Sequence, residues 1–366
     1  MTSQSPRQPQ HQIIYQEIYD AIQSGKYGYG DQLPTDGALM RSYDVSRPTV
    51  ARAMRDLEQK GIVTRRPGSG TFVNVAPEEE LTRIGLLIPG LGDTEIFESI
   101  CGEIARICTK KNYNLLWSDP GSGTDEWSES ALQEQAQRYI DQRVSGVFFA
   151  PVEWHPELLS TNVKVATQLR KAGIAVILLD RDLEPFPNRS SFDLVGIDNF
   201  RAGYKQAEHL IQQGCTNIVY VALPYSAPTV DLRIKGYRSA LRNASITVTD
   251  DMAHFGDPAD EGFLYSLIQA EPEGIICAND ATAMALYKSL TSQGIRIPED
   301  VLLMGMDDSK YTDFLPAPLS TLRQPTRAMG AAAMEIMQKR IENADLAPCN
   351  FVLDTELIVR ESTKRN

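Results

Sequence analysis

From Arg83 to Asp308 the chain repeats one pattern, in which short apolar runs alternate with longer amphipathic stretches. The runs are IGLLIP (84–89), YNLLWS (113–118), GVFFAP (146–151), AVILLD (175–180), DLVGID (193–198), NIVYVAL (217–223), GIICAND (274–280) and VLLMGMDD (301–308). Helical periodicity fills stretches between them, among them 99–111, 130–143, 201–213 and 281–293. Strands that alternate with helices form a parallel sheet covered on both faces. Eight such units exceed one sheet of ordinary size, so the pattern predicts two lobes.

The first 75 residues do not share this pattern. Residues 1–10 are polar with two prolines and are expected to be disordered. Helix and turn signals crowd the segment that follows, and a proline with an acidic run, Ala76-Pro77-Glu78-Glu79-Glu80, marks a linker. The expected division is a small module at 11–75, a linker at 76–82 and a body at 83–366. The whole chain has a net charge of −12. Residues 1–75 hold nine Lys/Arg against seven Asp/Glu, and the rest holds 27 against 41. Six basic residues fall within 46–66 (Arg47, Arg52, Arg55, Lys60, Arg65, Arg66), so the acidic total hides a basic patch. A basic patch on an acidic body fits one nucleic-acid-binding module in a larger protein.

Within that module Ile14, Ile18 and Ile22 share one helix face, which Gly25 can end. Thr35 can cap a short helix carrying Leu39 and Met40, and Tyr43-Asp44-Val45 makes a tight turn. Ser46 can cap a second helix, with Val50, Ala53, Met54 and Leu57 as its buried stripe. Ser46, Arg47, Thr49 and Arg52 then lie near the helix start and off the stripe, the arrangement of a helix-turn-helix whose second helix enters the major groove. Ile62-Val63-Thr64 and Thr71-Phe72-Val73 flank Pro67-Gly68-Ser69-Gly70, a hairpin with a glycine tip. Read alone, the basic run also fits a solvated helix face, and a winged helix also serves as a protein-binding module. The wing glycine and capped second helix favour DNA.

Residues 15–73 resemble the winged-helix domain of the GntR (gluconate-repressor-type) family. The motifs are G-D-Q-L-P-T at 30–35, Y-D-V-S-R-P-T-V at 43–50, L-E-Q-K-G at 57–61 and G-S-G-T-F-V at 68–73. The resemblance implies that Ser46, Arg47, Thr49 and Gly68 face DNA. Asp36 and Gly37 depart from the Glu and polar residue usual after L-P-S/T, and Ala51 replaces the basic residue usual after T-V, with Arg52 next. These departures imply a shifted base preference.

Residues 83–366 resemble the effector domain of the LacI/GalR family, itself similar to periplasmic sugar-binding proteins. The motifs include V-G-I-D-N-F-R-A-G at 195–203, R-I-K-G-Y-R-S-A-L at 233–241, C-A-N-D-A-T-A at 277–283 and L-S-T-L-R-Q-P at 319–325. The resemblance implies two α/β lobes joined by crossovers near 197, 323 and 352. The expected fold class is therefore α/β: an N-terminal winged helix-turn-helix and a two-lobed, periplasmic-binding-protein-like body.

Open α/β sheets bind ligands at the carboxyl ends of their strands. There the sequence puts Asp180, Asn279 and Asp307, and Arg233 at the opening of a helix after NIVYVAL. Carboxylates accept, Arg donates a fixed fork and Asn does both, a set suited to a polyol. The resemblance implies that effectors meet Asp180, Arg233, Asn279 and Asp307. Phe97 and Trp154 are candidates to stack on a sugar ring, and either also fits core packing. The aromatic that the family often carries ahead of Gly262 is replaced by Asp257 or shifted to Phe255. Asp307-Asp308 also fits a strand-end turn capping the next helix.

The expected function is a homodimeric repressor that binds double-stranded operator DNA under control of a small effector, a monosaccharide such as arabinose. The alternative is a GntR-type head fused to a catalytic or sugar-phosphate-binding α/β domain. No GxGxxG follows the first strand and no GxxxxGK[ST] occurs, so no cofactor and no enzyme activity are expected. Five scattered Cys without a CxxC pair suggest neither a disulfide framework nor a zinc site. No apolar run reaches about 18 residues and no signal-peptide pattern opens the chain, so a cytoplasmic location without membrane contact is expected. A solute-binding protein is disfavoured by the same missing signal and by the fused head.

Overall fold

The computed structural model describes residues 9–74, 82–88, 95–117, 128–152 and 156–365. The chain divides into two compact units, Met1–Leu81 and Thr82–Asn366.

The first unit holds α1 (Gln10–Gln23), α2 (Asp36–Tyr43), α3 (Arg47–Gln59) and a hairpin of β1 (Val63–Arg66) and β2 (Gly70–Val73). Ile14, Ile18 and Ile22 of α1 pack with Leu39, Val50, Ala53, Met54 and Leu57 into one core, closed by Val63 and Val73. The Thr35 hydroxyl caps α2 by accepting from the Ala38 amide at 3.2 Å. Asp44, in the left-handed region at φ 49°, ends that helix. Ser46 occupies the N-cap position of α3, but its side chain makes no capping bond. Its hydroxyl pairs instead with Thr49 Oγ1 at 3.0 Å, so side-chain capping by Ser46 is corrected.

The second unit contains two sheets. In chain order its first lobe has β3 (Arg83–Leu87), α4 (Glu95–Lys110), β4 (Asn114–Trp117), α5 (Glu129–Asp141), β5 (Gly146–Phe149), α6 (Pro156–Lys171), β6 (Ala175–Leu179) and β7 (Asp193–Ile197). Then come α7 (Asn199–Gln212), β8 (Ile218–Ala222), α8 (Pro228–Asn243), β9 (Ala253–Phe255), α9 (Glu261–Gln269), β10 (Gly274–Cys277), α10 (Asp280–Ser292) and β11 (Leu302–Met304). The chain returns through β12 (Thr321–Arg323), α11 (Thr326–Glu342), β13 (Asn350–Leu353) and β14 (Glu356–Ile358).

The six-stranded sheet has the order β13-β7-β6-β5-β3-β4 and the four-stranded sheet the order β11-β10-β8-β9. Every pairing within these two sheets is parallel. The central strands β5, β6 and β7 are apolar and almost wholly buried, as strands covered on both faces must be. One face of the first sheet packs against α4 and α11 through Ile100, Ile104, Met334 and Met337. The other packs against α5 and α6 through Leu132, Tyr139, Val165 and Leu169. The alternating pattern thus yields the expected two-lobed α/β body.

The chain leaves the first sheet after β7, comes back between β12 and α11, and leaves again between β13 and β14, which pairs antiparallel with β12. The sequence places the third crossover near 352. That stretch first forms β13 beside β7, and the crossing itself falls at 354–355. At the first crossover α7 and α8 pack backbone to backbone. A Cβ at Gly203 would overlap the Arg233 carbonyl, and one at Gly236 would overlap the Phe200 carbonyl. These two glycines set the height at which α8 presents Arg233. No described helix is long and apolar enough to cross a membrane.

Candidate functional site

On the first unit, Ser46, Arg47 and Arg52 are exposed at the start of α3 and Thr49 is half-buried. Among the described residues, Arg47, Arg52 and Arg55 have no salt-bridge partner, because the acidic residues of this unit lie elsewhere or are engaged. Arg65 is drawn to Asp36, with Nη2 at 3.1 and 3.2 Å from the two carboxylate oxygens. Arg66 lies on the Phe72 ring at 4.7 Å, and Lys60 lies over Tyr15 at 4.9 Å. Gly68 is exposed at the tip of the hairpin with φ +76°. The sequence-named residues thus lie on two elements of this unit, the start of α3 and the tip of the hairpin. Asp36, which breaks the family pattern, ties the base of the wing to the start of α2.

In the second unit the carboxyl ends of β6, β10 and β11 carry Asp180, Asn279 and Asp307. Asp180 and Asp307 adopt left-handed backbone, with φ 69° and 114°. For a side chain this conformation costs energy, and such outliers gather where function fixes the chain. Backbone bonds hold both in place: the Asp180 amide donates to the Val195 carbonyl and the Asp307 amide to the Leu322 carbonyl, each at 2.8 Å.

Arg233 is buried in the second turn of α8, not at its opening as the sequence suggests, because Pro228 starts the helix. Its Nη1 donates to the Ala278 carbonyl at 2.9 Å and lies 2.7 Å from Met306 Sδ. Its Nη2 donates to Thr229 Oγ1 at 3.4 Å, while the buried Nε has no partner among the described residues. The Asn279 carbonyl oxygen caps α10 by accepting from the Thr282 amide at 2.8 Å, which leaves the amide nitrogen as the group it can offer.

Asp307 accepts from Gln324 Nε2 at 2.8 Å. Burial pushes its carboxyl up to about 7, and neighbouring Asp180 and Glu95 add to the rise against the opposing charge of Arg233. Asp280, directly behind, is pushed up to about 8, by burial first and by Asp307 next. Its oxygens accept from the Ser309 amide and the Thr321 hydroxyl, each at 2.8 Å. Asp308 does serve structure: its carboxylate is paired with Arg323 at 2.6 Å and Arg360 at 2.7 Å, at the crossovers.

Three residues of this region escape the sequence reading. Arg181 is buried with Nε 3.3 Å from Asp180 Oδ2, so Arg233 is not the single guanidinium here. Its only sequence signal was its place directly after Asp180. Gln324 lies in the second crossover. Glu95, at the start of α4 in the first lobe, accepts from the backbone amide of Lys310 in the second lobe at 3.0 Å, and Lys310 Nζ lies 3.2 Å from its other oxygen. Burial alone would raise the Glu95 carboxyl, but the bonds from Lys310 hold it below the usual range.

Phe97 is placed differently from the expected stacking residue. It is 2% exposed in the first-lobe core, with the Arg181 guanidinium 5.8 Å from its ring centre. An aromatic on the core-facing stripe of α4 contributes more by burial than by waiting for a ligand. Trp154 lies outside the described residues. Phe255 ends β9 half-exposed, and Asp257 accepts from the Ala259 amide in the following turn.

Residues 10–73 match the gntR family of bacterial regulatory proteins, and residues 207–363 match the periplasmic binding protein-like domain. The chain is 26% identical over 370 residues to the arabinose metabolism transcriptional repressor of Geobacillus stearothermophilus, covering 97% of this chain and 98% of that one. It is 25% identical over 284 residues to the ribose operon repressor of Escherichia coli K12, covering 76% and 81%. Among solved structures, the transcriptional regulator CelR–cellobiose complex shares its fold with a TM-score of 0.66 at 22% identity, covering 87% of this chain and 91% of that one. The chain therefore joins a head that matches the gntR family of bacterial regulatory proteins to a periplasmic-binding-protein-like body, and along nearly its whole length it is similar to a bacterial transcriptional repressor.

Proposed function

We propose that this repressor grips a two-fold operator as a homodimer and that a neutral sugar in the body controls the grip. The observation that carries the effector half is the gathering of Asp180 and Asp307, strand-end residues on left-handed backbone, with the buried Arg233 of α8. Acceptors around a buried guanidinium match the hydroxyls of a polyol. Arg181 adds a second cation, yet Asp180 opposes it at 3.3 Å, and Glu95 and Asp307 add acidic groups. A phosphate would meet these carboxylates at close range, which disfavours a phosphorylated sugar. The relatives named for arabinose metabolism and for a ribose operon support a sugar of pentose size, arabinose first.

Ser46, Arg47, Thr49, Arg52 and Gly68 form the DNA-facing surface in this reading. Asp180, Arg233, Asp307 and the Asn279 amide hold the effector. Sugar binding selects one arrangement of the lobes and so changes operator affinity. Such a regulator works in the cytoplasm, where its operator is.

Two substitutions in the full chain test the division of labour. Arg233→Ala removes sugar binding in isothermal titration and the response of operator binding to sugar, while the head still binds operator. Arg47→Ala has the opposite pattern: operator binding weakens by about 1–3 kcal/mol and sugar binding stays intact. Retained sugar affinity in Arg233→Ala, or tight binding of a sugar phosphate with none of the parent sugar, overturns the effector site. Unchanged operator affinity in a folded Arg47→Ala chain takes that residue out of the interface.

A further inference from the structure

Beside Asp180 the body holds a second space, of about 420 Å³. That lies within the roughly 300–1,000 Å³ of small-molecule sites. Its lining comes from four stretches: 180–189 at and after the end of β6, the end of β7 with the first crossover at 194–200, the start of α8 at Pro228, Thr229 and Leu232, and Asn350 and Val352 of β13. It meets the site described above at two points. Asp180 belongs to both, and Thr229 accepts from Arg233 Nη2. Asn279 and Asp307 are not in its lining, so it extends that site rather than repeating it.

Two features set its chemistry. The first is aromatic: Phe186 is 60% exposed and Phe200 44%, whereas Phe97 is buried in the core. Flat apolar faces of this kind cover the C–H faces of a sugar ring. The second is charge. Asp180, Asp182, Glu184 and Asp198 face it against Arg181 and Arg189, an excess of carboxylates that disfavours an anionic occupant. Neutral polar groups are supplied by Asn188, Asn199 and Thr229. The space also spans both lobes, and Lys235 of α8 lies 4.7 Å over the Phe186 ring of the first lobe.

From this lining we infer a second sugar subsite, so that the full effector is a neutral disaccharide. Its first ring sits at Asp180, Arg233 and Asp307, and its second ring lies against Phe186 and Phe200. This rests on the sugar-effector reading and extends it: the sugar of pentose size read above is the first ring of a two-ring effector.

Titration calorimetry on the full chain tests it with arabinose, xylose and glucose, each against its own disaccharide: arabinobiose, xylobiose and cellobiose. For one pair the disaccharide binds at least tenfold more tightly than its monosaccharide. Phe186→Ala and Phe200→Ala each reduce that ratio to threefold or less and leave monosaccharide affinity within twofold, since both rings are solvent-facing and outside the first position. If monosaccharides bind, Arg233→Ala abolishes that binding, and no disaccharide gains affinity, the second subsite is overturned and the sugar reading survives. A disaccharide advantage that both Phe variants retain also overturns the subsite. If none of the six sugars binds, the sugar reading falls and the subsite falls with it.

Discussion

Two buried carboxyls set how this body responds to pH. Asp280 and Asp307 hold their protons to about 8 and about 7 in the folded chain, chiefly because burial disfavours the charged form. Unfolded, both release them near pH 4. Between those limits the native state binds more protons, so stability falls as pH rises. His209 acts in the opposite sense, because burial lowers its pKa below the ordinary 6.5 and its contribution changes below that pH. The five cysteine thiols, all raised by burial, act in the same sense as the carboxyls but only near and above the ordinary thiol range of about 8.5. The window from pH 6.5 to about 7.5 therefore isolates the carboxyls. Calorimetry should show the body's Tm falling across it, with a smaller fall in Asp280→Asn, whose amide cannot ionise. An equal fall in the variant means that Asp280 holds no proton there. The sequence shows an Asp at each strand end, but not that Asp280 lies behind Asp307. That proximity comes from the register of β10 beside β11.

At the scale of elements, the strands that the sequence reads well are those with an unbroken apolar run, including β4 at a sheet edge. β6 is expected at 175–180 and spans Ala175–Leu179, and α10 is expected at 281–293 and spans Asp280–Ser292. Uniform apolar runs and capped helices carry their own boundaries. β13 does not, since Phe351 and Val352 are half-exposed at a sheet edge and show neither a buried run nor alternation. β9 is three residues long and half-buried, too short for a pattern. The candidate site divides in the same way. Asp180, Asn279 and Asp307 are legible because strand ends are, whereas Arg181, Gln324 and the Glu95–Lys310 contact depend on packing between segments far apart in sequence.

The loop before β13 depends on one side chain. Arg340 pairs with both oxygens of Asp193, at 2.8 and 3.0 Å, and donates to the carbonyls of Ala344, Leu346 and Ala347. Asp193 is 2% exposed. Removing the guanidinium leaves a buried carboxylate uncompensated, which costs about 3–5 kcal/mol. Arg340→Met should lower the denaturant midpoint of the body accordingly and expose the 344–349 loop to protease. A loss below about 1 kcal/mol would show that the loop is held by its own backbone.

Across the whole molecule, charge separates the two tasks. The segment to residue 75 carries a net +2 and the remainder −14. Arg47, Arg52, Arg55 and Arg66 are exposed on the first unit. If these four neutralise one phosphate each, the two heads of the proposed dimer together meet eight, and the logarithm of operator affinity should fall with the logarithm of salt at a slope of about −7. The second unit alone, Thr82–Asn366, should bind no DNA in the same buffers. A mobility-shift series over salt checks both, and body-only binding equal to that of the full chain would refute the separation.

The return of the chain to its first lobe has a consequence for synthesis. α11 and β13 complete that lobe, yet they follow the entire second lobe in sequence. The head's core closes once Val73 has left the ribosome. At roughly 5–20 residues per second, β13 follows roughly 15–60 s later. During that interval Ile100 and Ile104 of α4 have no Met334 or Met337 to bury them. Each nascent chain thus presents a foldable DNA-reading head before it can sense any sugar. A message cut short within 326–353 would make that condition permanent: a head whose body is never completed and so cannot govern it.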